Sequence, residues 1–199
     1  MTDPGTVRPG GRTAQVRESV LRVVGDMVAD HGFDALDLPT VATRAGVGKT
    51  TVYRRWGSAS ALVADLLLEM ATSSRPRADT GSLAGDLGAN AHLVVDTLGD
   101  ARQGRLFRAM IAAAAMDHTT ATALATFYET RVAEWAPCVA DAIDRGEAPA
   151  GTDGPEAIRA LSAPLYYRFL TTTAPPGADD ADRAVAVVLA AIAAGAFVA

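Results

Sequence analysis

A pair of short helices joined by a glycine turn, within Asp37–Trp56, constrains the fold of this 199-residue chain more than any other feature. Asp37 is a good N-cap for the first helix, Gly46 ends that helix, and Gly48 begins the second. The predicted helices are 38–45 and 49–56. Helices this short, separated by a tight turn that contains glycine, are typical of a helix-turn-helix.

The net charge has to be considered by segment, because the whole chain is acidic. The formal charge is −5 and the pI is about 5.1, which by themselves argue against a nucleic-acid partner. Residues 1–57, however, carry a net charge of +2, and residues 58–199 carry −7. The segment 38–64 holds four basic residues and no acidic one. The acidic total therefore does not exclude DNA binding.

Composition and periodicity predict an all-α fold of about nine helices. The chain has 42 Ala and 17 Arg, both strong helix formers, and no segment alternates polar and apolar residues as a strand does. We divide it into a helix-turn-helix domain, 1–57, and a larger helical regulatory and dimerisation domain, 58–199. Pro137 and Pro164 fall inside predicted helices, where kinks are expected. Outside the helix-turn-helix, the predicted helices are 13–31, 58–73, 82–99, 101–117, 120–145, 155–172 and 179–198.

Several classes of protein are disfavoured by the sequence. The single cysteine, Cys138, cannot form an internal disulfide, which fits a reducing cytoplasm. The three histidines are far apart, so we predict no metal site, and we predict no cofactor. The apolar run 184–199 is shorter than the roughly 20 residues of a membrane span and rich in Ala and Gly, so a helix in a core or subunit interface is the simpler reading.

The segment Gly46-Val-Gly-Lys-Thr-Thr resembles a nucleotide-binding P-loop, but the match fails on two points. The P-loop pattern requires a glycine where this chain has Thr43, and it follows a buried strand, whereas the residues before Gly46 are predicted to be helical. No nucleophile, base and orienting group can be recognised elsewhere. We therefore predict that the protein is not an enzyme.

The second short helix presents side chains that suit a DNA groove. Threonine can contact base edges, Lys and Arg can bind guanine or phosphate, and a tyrosine hydroxyl usually contacts phosphate. On one face of this helix the sequence places Lys49, Thr50, Thr51, Tyr53 and Arg54. The alternative for these positions is a solvated helix face. Near the N-terminus, Arg8 and Arg12 form either an arm on the DNA backbone or a tail that touches nothing.

The same residues resemble the tetracycline-repressor (TetR) family of bacterial transcription regulators. The resemblance extends over about 12–63 and rests on Gly32–Leu36, Val41–Trp56 and Ala61–Val63. Arg145-Gly146-Glu147 and Ala163–Leu170 also resemble one branch of the family's regulatory domains.

The resemblance implies an all-α homodimer that binds a pseudo-palindromic double-stranded DNA operator and pairs through its last two helices. It departs from the family pattern at Ala59, where a lysine is usual, and at Asp37, where Thr or Ser is common. These changes remove one phosphate contact and make the local charge less favourable. The predicted DNA-binding residues are Thr40, Arg44, Gly48, Lys49, Thr50, Thr51, Tyr53 and Arg54.

The second domain is predicted to bind a small-molecule effector. Its candidate pocket residues are Phe107, Met110, Phe127, Tyr128, Trp135 and Tyr166, although most aromatic residues at helical spacing belong to a core. The preferred hypothesis is a cytoplasmic repressor, without a membrane segment, that its effector releases from DNA. A regulator controlled by a protein partner, without an effector, is the alternative that the sequence leaves open. A large closed cavity among the helices between 82 and 172 would favour the effector.

Overall fold

The computed structural model describes residues 11–73 and 75–198, apart from the side chain of Arg12. Arg8 and Ala199 lie outside the described residues. The described chain is all-α, as predicted, with a single 3-10 turn at Phe33–Ala35. Its α-helices are α1 (Arg12–His31), α2 (Leu38–Ala45), α3 (Lys49–Arg55), α4 (Ala59–Thr72), α5 (Leu83–Gly99), α6 (Ala101–Ala114), α7 (His118–Trp135), α8 (Pro137–Asp144), α9 (Gly154–Thr171) and α10 (Ala178–Ala193).

One predicted helix, 120–145, is two helices in the structure. Helix α7 ends at Trp135, and Pro137 begins α8 at its first position. Proline has no N–H to donate to the preceding turn and its ring obstructs that turn, so a helix starts at this residue more easily than it passes through it. The described part of the chain therefore has ten α-helices. By contrast, α9 runs through Pro164 as a single helix.

The C-terminal apolar run ends its helix earlier than the predicted residue 198. Helix α10 stops at Ala193, and Gly195 follows with a φ of +74°, a conformation that glycine adopts readily. The chain then returns to the start of α9, where the Asp153 N–H donates a 2.8 Å hydrogen bond to the carbonyl of Phe197. None of the described helices combines the length and the apolar character that a membrane crossing requires.

Two clusters of buried side chains hold the helices together. One cluster joins α1–α4 to α6 and α7, so the helix-turn-helix shares its core with helices of the second half of the chain. The other contains the apolar faces of α5, α8, α9 and α10. Gly104 lets α6 approach the end of α5, because a Cβ at this position would lie 2.5 Å from the carbonyl oxygen of Leu98. The predicted boundary between 57 and 58 stays a prediction.

Local signals place the helix-turn-helix as the sequence predicts. The Asp37 carboxylate accepts a 2.9 Å hydrogen bond from the backbone N–H of Thr40 and caps α2. Gly46 ends α2 with a φ of +67°, the left-handed conformation that lets the chain turn toward α3. Val41 and Val52 are fully buried, one on each helix, in the same core cluster.

The carboxylate of Asp65 on α4 fixes the far end of α3. It accepts a 2.9 Å hydrogen bond from the indole N–H of Trp56, and the guanidinium of Arg17 on α1 binds it at 2.8 Å. Arg17 also pairs with Glu69, one turn further along α4. Trp56 is therefore an anchor of the recognition unit, by which we mean α2, α3 and the turn between them. Its position at the end of the second short helix suggests this role.

Replacing Asp65 by Asn is expected to lower the free energy of unfolding by about 1–3 kcal/mol, because the charge-assisted hydrogen bonds are lost. Burial raises the pKa of Asp65, but the hydrogen bonds from Arg17 and Trp56 outweigh it, so the pKa lies below its usual value. The stabilisation is thus complete above about pH 4 and is lost as the pH falls through the folded-state pKa. Urea unfolding at several pH values measures the difference.

The control is Asp34→Asn, an exposed aspartate for which the described residues provide no ion pair or hydrogen bond. Its stability should match that of the wild-type protein at every pH. The role of the Asp65 carboxylate would be contradicted if Asp65→Asn did not lower the free energy of unfolding at neutral pH. It would also be contradicted if the loss were just as large in acid.

Candidate functional site

Helix α3 presents most of the predicted DNA-binding side chains to solvent. Lys49, Thr50 and Arg54 are exposed, and the Tyr53 ring is 52% exposed although tyrosine is often buried. Thr51 is half-buried. The opposite side of the helix carries the buried Val52, so packing of that one residue turns the polar face outward.

Two predicted residues of α2 lie beside the start of α3. Thr40 is half-buried, Arg44 is exposed, and both line a shallow groove with Lys49. The Asp37 carboxylate lies near this groove, and its pKa is lowered mainly by the hydrogen bond from Thr40 and also by the charge of Lys49. Gly48 is exposed between the two helices and is the N-cap of α3. The groove thus carries two cations and one nearby carboxylate.

The basic side chains of this surface differ in what they contact. Among the described residues, Arg44, Lys49 and Arg54 form no salt bridge. Arg55 points the other way: its guanidinium lies 5.0 Å from the centre of the Trp56 ring and donates to the Thr13 carbonyl at 3.4 Å. Three cations are therefore available for an external anion, whereas Arg55 stabilises the fold.

This arrangement can bind the major groove of DNA. A seven-residue helix with an exposed polar face fits the groove, where Thr and Arg reach base edges and the flanking cations reach phosphates. The proposed arm contact of Arg8 and of the Arg12 side chain lies outside the described residues. No cluster of metal-ligating side chains occurs within the part of the chain that the structure describes.

A cavity of about 780 Å³ lies between α4, α5, α6, α7 and α9. Five of the six predicted pocket residues line it, while Met110 is fully buried in the core and is not part of the wall. Met110 and the core residue Leu106 lie on the same apolar face of α6. Helical spacing alone does not tell whether a residue on this face is buried in the core or borders a cavity. The five that line the cavity are Phe107, Phe127, Tyr128, Trp135 and Tyr166.

Sequence reasoning missed the polar residues of the cavity wall, which include Asn90 on α5 and Gln103 on α6. Asn90 is only 4% exposed and follows Leu83 and Leu87 at the spacing of one helical stripe. A polar residue in an apolar stripe is a signal that the sequence contains, because burying an amide without a partner is unfavourable.

Helix α6 contacts both the cavity and α1. Gln103 and Phe107 line the cavity, whereas Arg102 binds Asp26 of α1 at 2.6 Å and Arg105 binds Asp30 at 3.1 Å. Helix α1 also packs directly against α2, so a single helix lies between α6 and the helix-turn-helix.

The motif Arg145-Gly146-Glu147 has a structural role. The carboxylate of Glu147 accepts a 2.5 Å hydrogen bond from the backbone N–H of Leu83, the first residue of α5, and a 2.6 Å bond from Arg145. Gly146 makes the turn with a φ of +78°. The motif therefore holds the beginning of a cavity-forming helix.

Comparison with protein families supports this description. The family described as "Bacterial regulatory proteins, tetR family" matches residues 26–66, which include α2 and α3. The family described as "Tetracyclin repressor-like, C-terminal domain" matches residues 77–188, more than half of the chain.

Individual proteins show the same similarity. The chain is 29% identical over 162 residues to the uncharacterized HTH-type transcriptional regulator YdeS of Bacillus subtilis, covering 81% of each protein. The solved structure of the TetR family transcription regulator SCO0332 matches with a TM-score of 0.71 and 26% identity, over 88% of this chain and 97% of the other. The flavonoid-responsive regulator FrrA has the same fold, with a TM-score of 0.65 and 18% identity, over 91% and 96%.

Proposed function

We propose that this chain, which belongs to the TetR family of transcription regulators, is a repressor that a small molecule releases from its operator. The family relation makes it a DNA-binding regulator and not an enzyme. The position of α6 supports the finer proposal, because this helix lines the cavity and also packs along α1. The protein then acts in the cytoplasm, where bacterial DNA lies.

The operator contacts come from the exposed face of α3 and the adjacent end of α2. Thr50, Thr51 and Arg54 read base edges, while Tyr53 binds phosphate. Thr40, Arg44, Gly48 and Lys49 approach the backbone at the edge of the groove. Among the described residues of this surface three cations are without a salt bridge in each protomer, so few phosphates are neutralised, and non-specific affinity is modest and falls with salt.

The second copy that a palindromic operator requires pairs through α9 and α10. Tyr167 and Leu170 on α9 are 70% and 44% exposed, and Val187 on α10 is 62% exposed. Large apolar side chains this exposed on neighbouring helices are typical of an interface. In a two-fold dimer the two recognition helices lie about 34–36 Å apart, which matches successive major grooves.

Release follows from a shift between two populations of the dimer. An effector that binds better when α6 is displaced favours that state, and the close packing of α6 on α1 carries the displacement to α1. The spacing of the two recognition helices then no longer matches the operator. The protein FrrA is named as flavonoid-responsive, which supports a small-molecule effector on this fold. The cavity favours this over control by a protein partner.

Replacing Tyr53 and Arg54 together by Ala should abolish operator binding while fold and dimer persist, because each protomer loses contacts worth about 1–3 kcal/mol apiece. The operator is first selected from a random DNA pool, and affinity is then measured by mobility shift. Circular dichroism and light scattering report fold and dimer.

Arg55→Ala is the matched control, since it removes the same charge from the same helix but from the side that packs on Trp56. It should retain most of the affinity. Sequence-specific binding by the double variant, or an equal loss in Arg55→Ala, would refute the assigned surface.

Charging the exposed apolar face, with Tyr167→Glu and Val187→Glu, should give a folded monomer with weak operator affinity, since like charges meet across a two-fold interface. Light scattering at micromolar concentration measures the mass. Met116→Glu is the control, because Met116 is 91% exposed but lies in the turn after α6. The proposed interface is wrong if the wild-type protein is a monomer. It is also wrong if the variant with both substitutions is still a dimer.

A further inference from the structure

We infer that the ligand of this cavity is an uncharged aromatic molecule that carries both a hydrogen-bond acceptor and a hydrogen-bond donor. The inference rests on the effector function proposed above and names the chemical class of that effector. It follows from the rings of the wall, from buried polar groups without partners, and from the distribution of charge.

Four aromatic side chains form a continuous series along the cavity. Phe107 and Phe127 have ring centres 5.6 Å apart, Phe127 and Tyr128 are 5.3 Å apart, and Tyr128 and Tyr166 are 5.3 Å apart. All four line the cavity. Rings in tilted and edge-to-face contact offer both faces and edges to a further ring, so a flat aromatic ligand can extend the series.

Three residues that line the cavity carry buried polar atoms without a hydrogen-bond partner among the described residues. Asn90 Nδ2 and Trp135 Nε1, on residues 4% and 3% exposed, are donors with no hydrogen-bond partner among the described residues. Gln103 Oε1 is a buried acceptor in the same situation. Because a buried polar group without a partner destabilises the protein, a ligand that supplies an acceptor and a donor gains affinity here.

The charges of the wall disfavour a permanent cation. Arg75, Arg131 and Arg159 line the cavity, against the single carboxylate of Asp96. Arg131 and Arg159 each pair with a glutamate of their own helix. The remaining arginine, Arg75, is exposed, and an exposed ion pair contributes little to binding an anion.

The two tyrosines add no charge. Burial raises the pKa of Tyr128 and also that of Tyr166, so both hydroxyls stay protonated at neutral pH. The aromatic part of the cavity wall therefore combines ring surface with neutral hydrogen-bonding groups.

A series of four compounds on one two-ring scaffold tests the class. 4-Hydroxybenzophenone is neutral with an acceptor and a donor, diphenylmethane has no polar group, 4-benzoylbenzoate is an anion, and (4-benzoylbenzyl)trimethylammonium is a cation. Calorimetric titration of the full-length dimer should show the neutral hydroxyketone binding about tenfold or more tightly than each of the others. Equal or tighter binding of a charged member, or no binding by any of the four, overturns the inference.

Asn90→Leu and Trp135→Phe test the polar contacts, because Leu has nearly the shape of Asn and Phe keeps an aromatic ring while each removes the polar group. Each should weaken 4-hydroxybenzophenone about tenfold and leave diphenylmethane unchanged. A merely structural role would weaken both compounds alike, which would overturn the role of these two groups. The order in which the wild-type protein binds the four compounds is measured without the variants. It therefore tests the ligand class even if one of the variants fails to fold.

Mobility shift on the selected operator separates this inference from the proposed function. Binding with the expected ranking but without operator release refutes effector control and leaves the ligand class intact. Release by the charged members, with no preference for the neutral one, refutes the ligand class and leaves effector control intact.

Discussion

The carboxylate of Asp65 is the point on which the DNA-binding surface depends. Helix α3 has seven residues, and a helix of that length is not stable in water by itself. Its orientation must come from contacts with other elements, and Asp65 supplies one by holding Trp56 at the end of α3 and Arg17 of α1 at the same time. The direction in which Tyr53 and Arg54 point therefore depends on Asp65 of α4 as well as on the buried Val52 of α3.

The same helix leads into the second half of the molecule. Beyond Asp65, α4 reaches the cavity through Met70, and the buried cluster around α1 continues into α6 and α7. There is thus no layer of solvent between the recognition unit and the helices that enclose the cavity. Close packing of this kind transmits small displacements, which gives the proposed effector response a physical route.

Helix α9 shows how one segment takes part in several surfaces. Leu161 and Leu165 lie in the core, Tyr166 lines the cavity, and Tyr167 is exposed on the proposed dimer face. At 100° per residue, three faces fit on a single helix. A ligand that moves Tyr166 acts on a helix that also carries the exposed Tyr167.

Local chemistry made the helix-turn-helix predictable. The Asp37 cap, the glycine turn at Gly46 and the buried Val52 depend on residues only a few positions apart, so the sequence specifies them directly. The sequence also shows Pro137 inside an apolar helical pattern. Whether this proline bends a helix or begins a new one depends on what the next segment packs against. Helix α8 packs on α5 and α9, and these contacts are far apart in sequence.

By itself the sequence determined the all-α class, the helix-turn-helix and the polar set on its second helix, because helix periodicity, caps and turns are short-range. Only the tertiary structure decided that Arg55 lies against the Trp56 ring while Arg54 forms no salt bridge among the described residues. It also decided that Met110 is core while Phe107 borders a cavity, and that Asn90 and Gln103 belong to that wall. A cavity is a space between helices distant along the chain, and no local pattern encodes where the packing leaves it.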